Sequence, residues 1–253
     1  MRHKNERMNG FSLLELLVAV VIFLLITGAA FTLLNVSQQR YQMESQVLDS
    51  LQEARLGMDQ MVRDINDAGF PPPNHFTASA PPANTYAQTP FAWMPSYPAT
   101  PCTVGGVGGC TTPTGIDIIV ETKPDPTLPV QWIHYVLVGK TLMRGVANKD
   151  STTDPVAATA DKLMPYVQNV VNGASAAEIA AFKAGYSGTT MFPGDNPVAI
   201  FSYVFDSGAA ATPRNIRDVN ITLIVQAAQL DPRTRQPRLV TLTGRGRRIN
   251  PNT

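Results

Sequence analysis

The sequence predicts an α+β fold: a long N-terminal α-helix, first membrane-spanning and then amphipathic, packed on an antiparallel β-sheet head. Two patterns predict it. The stretch 16–36 contains no charged residue, and apolar residues then recur at helical spacing as far as Ile65. Beyond residue 115, short β-branched or alternating runs are separated by turn residues, which is typical of antiparallel strands.

The composition indicates a turn-rich chain of low charge. Its 253 residues include 21 prolines and 18 glycines, 15% are charged, and the formal net charge is +1. This length allows one large domain or two modest ones, with a real core in either case. No charge imbalance points to nucleic acid or to acidic lipid.

Residues 1–10 form a short basic leader in front of the apolar run. The uncharged stretch is long enough to cross a bilayer as a helix, and its positive flank should stay cytoplasmic. We therefore expect a single pass through the cytoplasmic (inner) membrane, with everything after residue 36 on the far side. An ordinary secretory signal peptide is the alternative, but the residues after Ala30 show no small-residue cleavage site.

Glu15 is not explained by a plain membrane anchor. It lies within the apolar run, where an ionisable side chain costs a few kcal/mol on insertion scales. An ionisable residue in a membrane segment is a functional-site hypothesis by default, and it requires a partner.

The heptapeptide Gly10–Leu16 resembles the prepilin cleavage and methylation motif of type IV pilins and type II secretion pseudopilins. The resemblance implies that a prepilin peptidase cuts between Gly10 and Phe11, and that Phe11 becomes the N-methylated first residue. In a helical stack of subunits, the Glu15 carboxylate can then face the amine of a neighbouring Phe11. Two buried opposite charges are tolerable together and costly apart, so Glu15 would set the register of assembly. Unlike major pilins, the second half of this membrane helix has no proline.

The segment 37–69 is predicted to continue as an amphipathic helix whose apolar face packs under the sheet. Gly69 should cap its end. The segment Leu48–Phe70 resembles the same region of W-type minor pilins, and its end, RDINDAGF, carries that resemblance. The J-type minor pseudopilins of type II secretion have a looser version. The predicted apolar face consists of Leu48, Leu51, Met58, Val62 and Ile65.

Residues 70–115 are interpreted as a Pro/Gly-rich loop region, and 116–253 as the β-rich head. Cys102 and Cys110 lie in a glycine-rich stretch, and their even number suits an oxidising compartment, which favours a disulfide over two free thiols. Two thiols without a second ligand pair do not indicate zinc. The strands are predicted at Ile116–Glu121, Val130–Val138, Thr141–Val146, Phe201–Phe205, Val219–Val225 and Leu239–Thr243, and a short helix follows a capping box at Ser175–Glu178.

The sequence offers few convergent groups for catalysis. It has no HExxH motif, no nucleophile elbow and no phosphate-binding loop, so neither an enzyme nor a cofactor or metal site is predicted. The remaining electrostatic feature is a run of arginines near the carboxyl end: Arg245, Arg247 and Arg248. We interpret it as a solvated edge strand or a docking face for another subunit. Contact with nucleic-acid phosphates is disfavoured because no aromatic residues are interleaved.

These patterns favour a W-like minor pilin, non-catalytic, that enters the initiating complex or tip of a type IV pilus. Its expected partners are the prepilin peptidase/N-methyltransferase, other minor and major pilins, and the inner membrane. The alternatives are a J-type pseudopilin of a type II secretion system and a membrane-anchored binding protein that never polymerises.

Overall fold

Within the part of the chain that the structure describes, one long helix is followed by a head of two antiparallel sheets and two short helices. The computed structural model describes residues 12–69, 90–93, 103–105, 111–122, 127, 129–149, 154–185, 190–231 and 235–249. The helices are α1 (Leu13–Asn66), α2 (Pro155–Thr159) and α3 (Ala176–Gly185). Single 3-10 turns occur at Ala160–Lys162, Pro193–Asp195 and Pro213–Asn215.

The strands follow one another in chain order within each sheet, so neighbours in sequence are neighbours in space. The first sheet has the order β1-β2-β3-β4-β5 and the second the order β6-β7-β8, and every pair is antiparallel. The predicted α+β class is confirmed. The strands are β1 (Phe91–Ala92), β2 (Asp117–Thr122), β3 (Gln131–Val138), β4 (Thr141–Asn148), β5 (Met164–Val167), β6 (Phe201–Phe205), β7 (Ile216–Leu230) and β8 (Pro237–Arg247).

The chain divides into two compact units, Met1–Ser45 and Gln46–Thr253. In the first unit, the described residues form the N-terminal part of α1, and the large apolar side chains from Leu13 to Val36 are exposed. The second unit holds the rest of α1 and both sheets, which share a hydrophobic core.

The buried stripe of α1 in the second unit confirms Met58 and Ile65 of the predicted apolar face but not Leu48. It runs through Ala54, Met58, Met61 and Ile65, at alternating spacings of four and three residues, and Ala68 just beyond the helix end is also buried. Leu48, predicted to be in the core, is 57% exposed because it lies about 80° around the helix from Met58. The prediction also missed Ala54 and Met61, both of which are fully buried.

Two glycines of β8 allow α1 to lie directly on the strand backbone. A Cβ atom on Gly244 would come within 2.8 Å of Met58 Sδ, and one on Gly246 would overlap Ile65. The end of β8 is also held by the end of α1, because the Arg247 backbone N–H donates to Asn66 Oδ1 at 2.8 Å. Helix and strand are therefore joined by close packing and a specific hydrogen bond.

Several local predictions are confirmed. Gly139, with φ of 61°, opens the two-residue turn between β3 and β4, which was predicted as a hairpin. The Ser175 backbone N–H donates to Glu178 Oε2 at 2.9 Å and the Glu178 N–H donates to Ser175 Oγ at 3.4 Å, so the predicted capping box opens α3. α1 ends at Asn66 with Gly69 at φ of 81°, as predicted.

Elements β1, α2 and β5 were not predicted, and β1 lies within 70–115, which was interpreted as a loop region. Asp154 caps α2, since its Oδ1 accepts hydrogen bonds from the N–H groups of Val156 at 2.7 Å and Ala157 at 3.3 Å. The pattern of an aspartate followed by a proline at the first helical position could have revealed this helix. Val156 packs against Trp132 in a small cluster separate from the main core.

Candidate functional site

Glu15 lies in the first turn of α1, where its side chain helps to cap the N-terminus of the helix. The Ser12 backbone N–H donates to Glu15 Oε2 at 3.0 Å, and the Leu14 N–H donates to Ser12 Oγ at 3.4 Å. A serine followed three residues later by a glutamate is a capping box, which satisfies backbone donors that no helical carbonyl can reach. The two predicted processing residues, Gly10 and Phe11, lie outside the described residues.

The helix that follows Glu15 presents apolar side chains on every side. Leu16, Leu25 and Phe31, for example, are 62%, 69% and 67% exposed. A helix that is apolar all round requires a lipid or protein environment, since water disfavours so large an apolar surface. By length and composition α1 is able to cross a membrane.

The comparisons with known proteins bear on this same segment. The model of the prokaryotic N-terminal methylation motif matches residues 7–31. This match supports a pilin-like protein. The matched residues include Gly10, Phe11 and Glu15, and they leave the head unmatched. No curated protein and no solved structure matches the chain.

The head contains a polar cluster that ties α1 to the first sheet. Tyr135 Oη donates to Asp64 Oδ2 at 2.5 Å, and an Arg144 terminal nitrogen donates to the same oxygen at 3.1 Å. Arg144 Nε donates to Tyr135 Oη at 2.9 Å, and Gln60 Nε2 donates to Asp64 Oδ1 at 2.8 Å. Burial, and then the Asp64 charge, raise the pKa of Tyr135, so its hydroxyl stays protonated and serves as a donor. Sequence analysis missed this cluster.

A second buried ion pair joins Glu121 at the end of β2 to Lys149 just after β4. Their side chains are 4% and 1% exposed. Burial raises the pKa of the Glu121 carboxyl and lowers the pKa of the Lys149 ammonium, while each partner's charge opposes the shift. The pair lies near the ends of two interior strands of the first sheet and is satisfied internally, which suits a structural role.

His134, on β3, is buried in a position that favours its neutral form. Its Nδ1 lies 3.0 Å from Thr159 Oγ1, and that hydroxyl donates to the Pro155 carbonyl at 2.8 Å, so Nδ1 carries the proton. Its Nε2 has no hydrogen-bond partner among the described residues. Burial lowers the pKa of His134 to about 4, and the nearby Asp154 charge only partly opposes this.

The free energy of unfolding is expected to decrease as the pH falls from about 6.5 to about 4, by about 2–3 kcal/mol from His134. The pKa of His134 is lower in the folded protein than in the unfolded chain, so the unfolded chain binds the proton first as the pH falls. The contribution of neutral His134 to stability is therefore fully present at pH values above its unfolded-state pKa. Urea unfolding at several pH values should show this slope. In a His134→Gln variant, the part of the slope that comes from His134 should disappear. Equal slopes for the two proteins would contradict the assignment.

The structure separates the three predicted arginines. Arg245 donates to Asp218 Oδ2 at 2.6 Å, as does Arg217 from its Nε at 2.8 Å. Arg247 and Arg248 instead line a cleft with Arg217, which sequence analysis had not selected. Asp218 is fully buried, and the adjacent arginine hydrogen bonds outweigh its burial and lower its pKa.

Two further predictions concern cysteines and metals. Cys102 and Cys110 lie outside the described residues, so their disulfide stays a prediction. Among the residues that the structure describes, no group of three His, Cys, Asp or Glu side chains could hold a metal ion.

Proposed function

We propose that this chain is a W-like minor pilin, a membrane-anchored subunit that takes part in starting or assembling a type IV pilus. The observation that carries the proposal is the methylation motif at residues 7–31, with Glu15 directly before the uncharged apolar stretch 16–36. In this proposal the leader is cytoplasmic and is removed between Gly10 and Phe11. The apolar part of α1 enters the filament core, and the head stands on the outer side of the membrane.

The resemblance of Leu48–Phe70 to W-type minor pilins supports the subtype. Two features of that segment in this chain are consistent with a role in holding the head on the helix. Asp64 binds Tyr135 and Arg144, and Asn66 binds the end of β8. Both side chains come from the RDINDAGF end of the segment that carries the resemblance.

A J-type pseudopilin of a type II secretion system is the second candidate, because pilin and pseudopilin precursors share the methylation motif. The two candidates differ in the proteins with which they would assemble. Protein extracted from the membrane should co-purify with other pilins in the first case and with secretion components in the second. Their identification by mass spectrometry separates the two.

The mature protein is expected to begin at an N-methylated Phe11 when it is isolated from the membrane of its own cells. Mass spectrometry of the N-terminal peptide measures this directly. A Gly10→Leu variant should keep its leader, because the peptidase motif requires the small residue at the cut.

Gly28→Leu is the matched control and should be processed normally. Gly28 lies in the same helix, and a Cβ atom added to it would meet no side chain within 4 Å. A native protein that begins at Met1 would overturn the pilin proposal and leave a tethered β-rich domain.

A further inference from the structure

The second sheet ends in a long and regular edge strand, β8. It is the last strand in the order β6-β7-β8, so β7 pairs with one side of it and its other side is an edge of the sheet. The pairing with β7 is continuous from residue 239 to residue 247, without a bulge. Both strands belong to the second unit of the chain, Gln46–Thr253.

The register shows which backbone groups of β8 face away from β7. The Thr222 N–H donates to the carbonyl of Ile200, directly before β6, at 2.8 Å, so even-numbered residues of β7 bond towards β6 and odd-numbered ones towards β8. The partners of those odd-numbered residues are the even-numbered residues of β8. The odd-numbered residues of β8 therefore point outwards. Arg247 agrees with this, because its N–H donates to Asn66 Oδ1 and not to β7.

Three residues of this edge, Thr241, Thr243 and Arg245, present their N–H and C=O groups outwards without a partner. Among the residues that the structure describes, none hydrogen-bonds these groups. We call this stretch the open edge of β8. Its outward groups repeat every two residues, about 7 Å, which is the repeat of the groups on another extended chain. The three side chains are exposed, so the chemistry of the open edge suits an extended polypeptide.

The other edges of the two sheets are short or already bonded. β1 has two residues, and β5 has four, one of which is Pro165. On β6, the Phe201 N–H donates to the Gly115 carbonyl at 2.9 Å. Proteins commonly shorten, block or cover edge strands, because an unpaired edge recruits other chains. Within the described part of the chain, β8 lacks such protection between residue 241 and Arg247.

The charges of β8 indicate which extended chain suits the open edge. Its charged residues are Arg238, Arg245 and Arg247, and it has no acidic residue. A second copy of β8 would bring the same arginines to the edge, and like charges weaken strand pairing. Because Asp231 and Asp218 already contact Arg238 and Arg245, a strongly acidic partner is not required either. A segment of another protein that contains no basic residue fits best.

We propose that the open edge of β8 binds an extended segment of a neighbouring subunit, which adds one strand to the second sheet. The inference rests on the proposed function only in naming a subunit as the source of that segment. The segment would exchange backbone hydrogen bonds with Thr241, Thr243 and Arg245. Main-chain bonds would supply most of the affinity, and β-branched side chains would pack beside the two threonines.

The test measures binding of a fluorescent peptide to the full chain in detergent by fluorescence anisotropy. The peptide alternates valine and threonine and has a glutamate at each end. Thr243→Pro should weaken binding more than about tenfold, because it removes an outward N–H and its ring hinders the approach of a strand. The Thr243 N–H faces away from β7, so this variant loses no hydrogen bond of the sheet. Thr243→Val, the matched control, keeps the N–H and the branched shape and should bind as the parent does.

Amide hydrogen exchange of the parent protein tests the open edge without any substitution. The amides of Thr241, Thr243 and Arg245 should exchange fast in the free protein, since they have no acceptor. Those of Leu242 and Gly244, which bond to β7, should exchange slowly. Addition of the peptide should slow exchange at the three outward amides.

Four results would overturn the proposal. The first is equal binding by Thr243→Pro and the parent. The second is equal binding of a peptide whose two central residues are N-methylated, because that change removes a donor from each of its edges. The third is tighter binding of a peptide with lysine in place of glutamate. The fourth is slow exchange of the outward amides without peptide. If that slow exchange depends on protein concentration, a second copy occupies the edge, and if it does not, the chain itself covers it. Because processing at Phe11 is measured separately, a failure here leaves the proposed function standing.

Discussion

Replacing Glu15 with leucine is expected to leave the protein in the membrane but to lower its incorporation into filaments more than about tenfold. The apolar run alone suffices for insertion, and leucine makes it more apolar. In the filament, however, the ammonium group of Phe11 on a neighbouring subunit would lose its partner. An unpaired charge in an apolar environment costs a few kcal/mol, which corresponds to a large change in an assembly equilibrium.

The structure adds a second role for Glu15 that has to be separated from the first. Its carboxylate accepts a hydrogen bond from the Ser12 N–H, so Glu15→Leu removes a helix cap as well as a charge. Glu15→Gln keeps an oxygen acceptor for the cap but carries no charge. Ser12→Ala removes the hydroxyl of the capping box and keeps the Glu15 charge.

The quantity to measure is the ratio of protein in sheared filaments to protein in the membrane fraction. If charge pairing sets the register, Glu15→Gln should be as defective as Glu15→Leu, and Ser12→Ala should assemble nearly normally. A defect in Ser12→Ala equal to that of Glu15→Leu would instead assign the effect to the cap. Normal incorporation of Glu15→Leu would remove the registry role.

Asp64→Ala is expected to lower the free energy of unfolding by about 3–5 kcal/mol, the range found when one partner of a buried ion pair is removed. Asp64 is 6% exposed and accepts hydrogen bonds from Tyr135, Arg144 and Gln60. Its loss would leave the buried Tyr135 hydroxyl and the partly buried Arg144 charge without their acceptor. The helix would also lose its main polar attachment to the first sheet.

Urea unfolding of the full chain in detergent can measure this effect by tryptophan fluorescence. Both tryptophans of the chain, Trp93 and Trp132, are buried in the head, so the signal reports on unfolding of the head. Asp64→Asn keeps the shape and one acceptor oxygen and should lose roughly half as much as Asp64→Ala. Asp59→Ala, an exposed aspartate on the same helix, should stay within about 0.5 kcal/mol of the parent. A loss from Asp64→Ala no greater than that control would contradict the role of the cluster.

Much of the fold was predictable because its signals are local. A glycine at the first position of a two-residue turn predicted the β3–β4 hairpin, and Ser175 with Glu178 predicted the start of α3. The helix able to span a membrane was equally clear, because a long uncharged apolar run is visible in the sequence itself. These features depend on residues within a few positions of one another.

The features that sequence analysis missed depend on long-range contacts. Asp64 and Tyr135 are 71 residues apart, and only the packing of α1 on the sheet brings them together. The cleft lined by Arg217, Arg247 and Arg248 shows the same limit. Sequence proximity grouped Arg245 with Arg247 and Arg248, whereas the register of β7 with β8 aligns Asp218 with Arg247 and brings Arg217 to the cleft. A one-residue shift in that register would have produced another site.

The bare backbone that β8 offers to α1 also has a mechanical consequence. Met58 and Ile65 occupy the spaces over Gly244 and Gly246. Leu242 precedes Gly244 by two residues on the same strand. A lengthwise pull that moved the helix by one strand repeat, about 7 Å, would drive Met58 against Leu242. Sliding of the helix along the strand would therefore be blocked by steric contact, which does not depend on ionic strength. A force on the helix would then be transmitted to the head before the ion pairs of the head break.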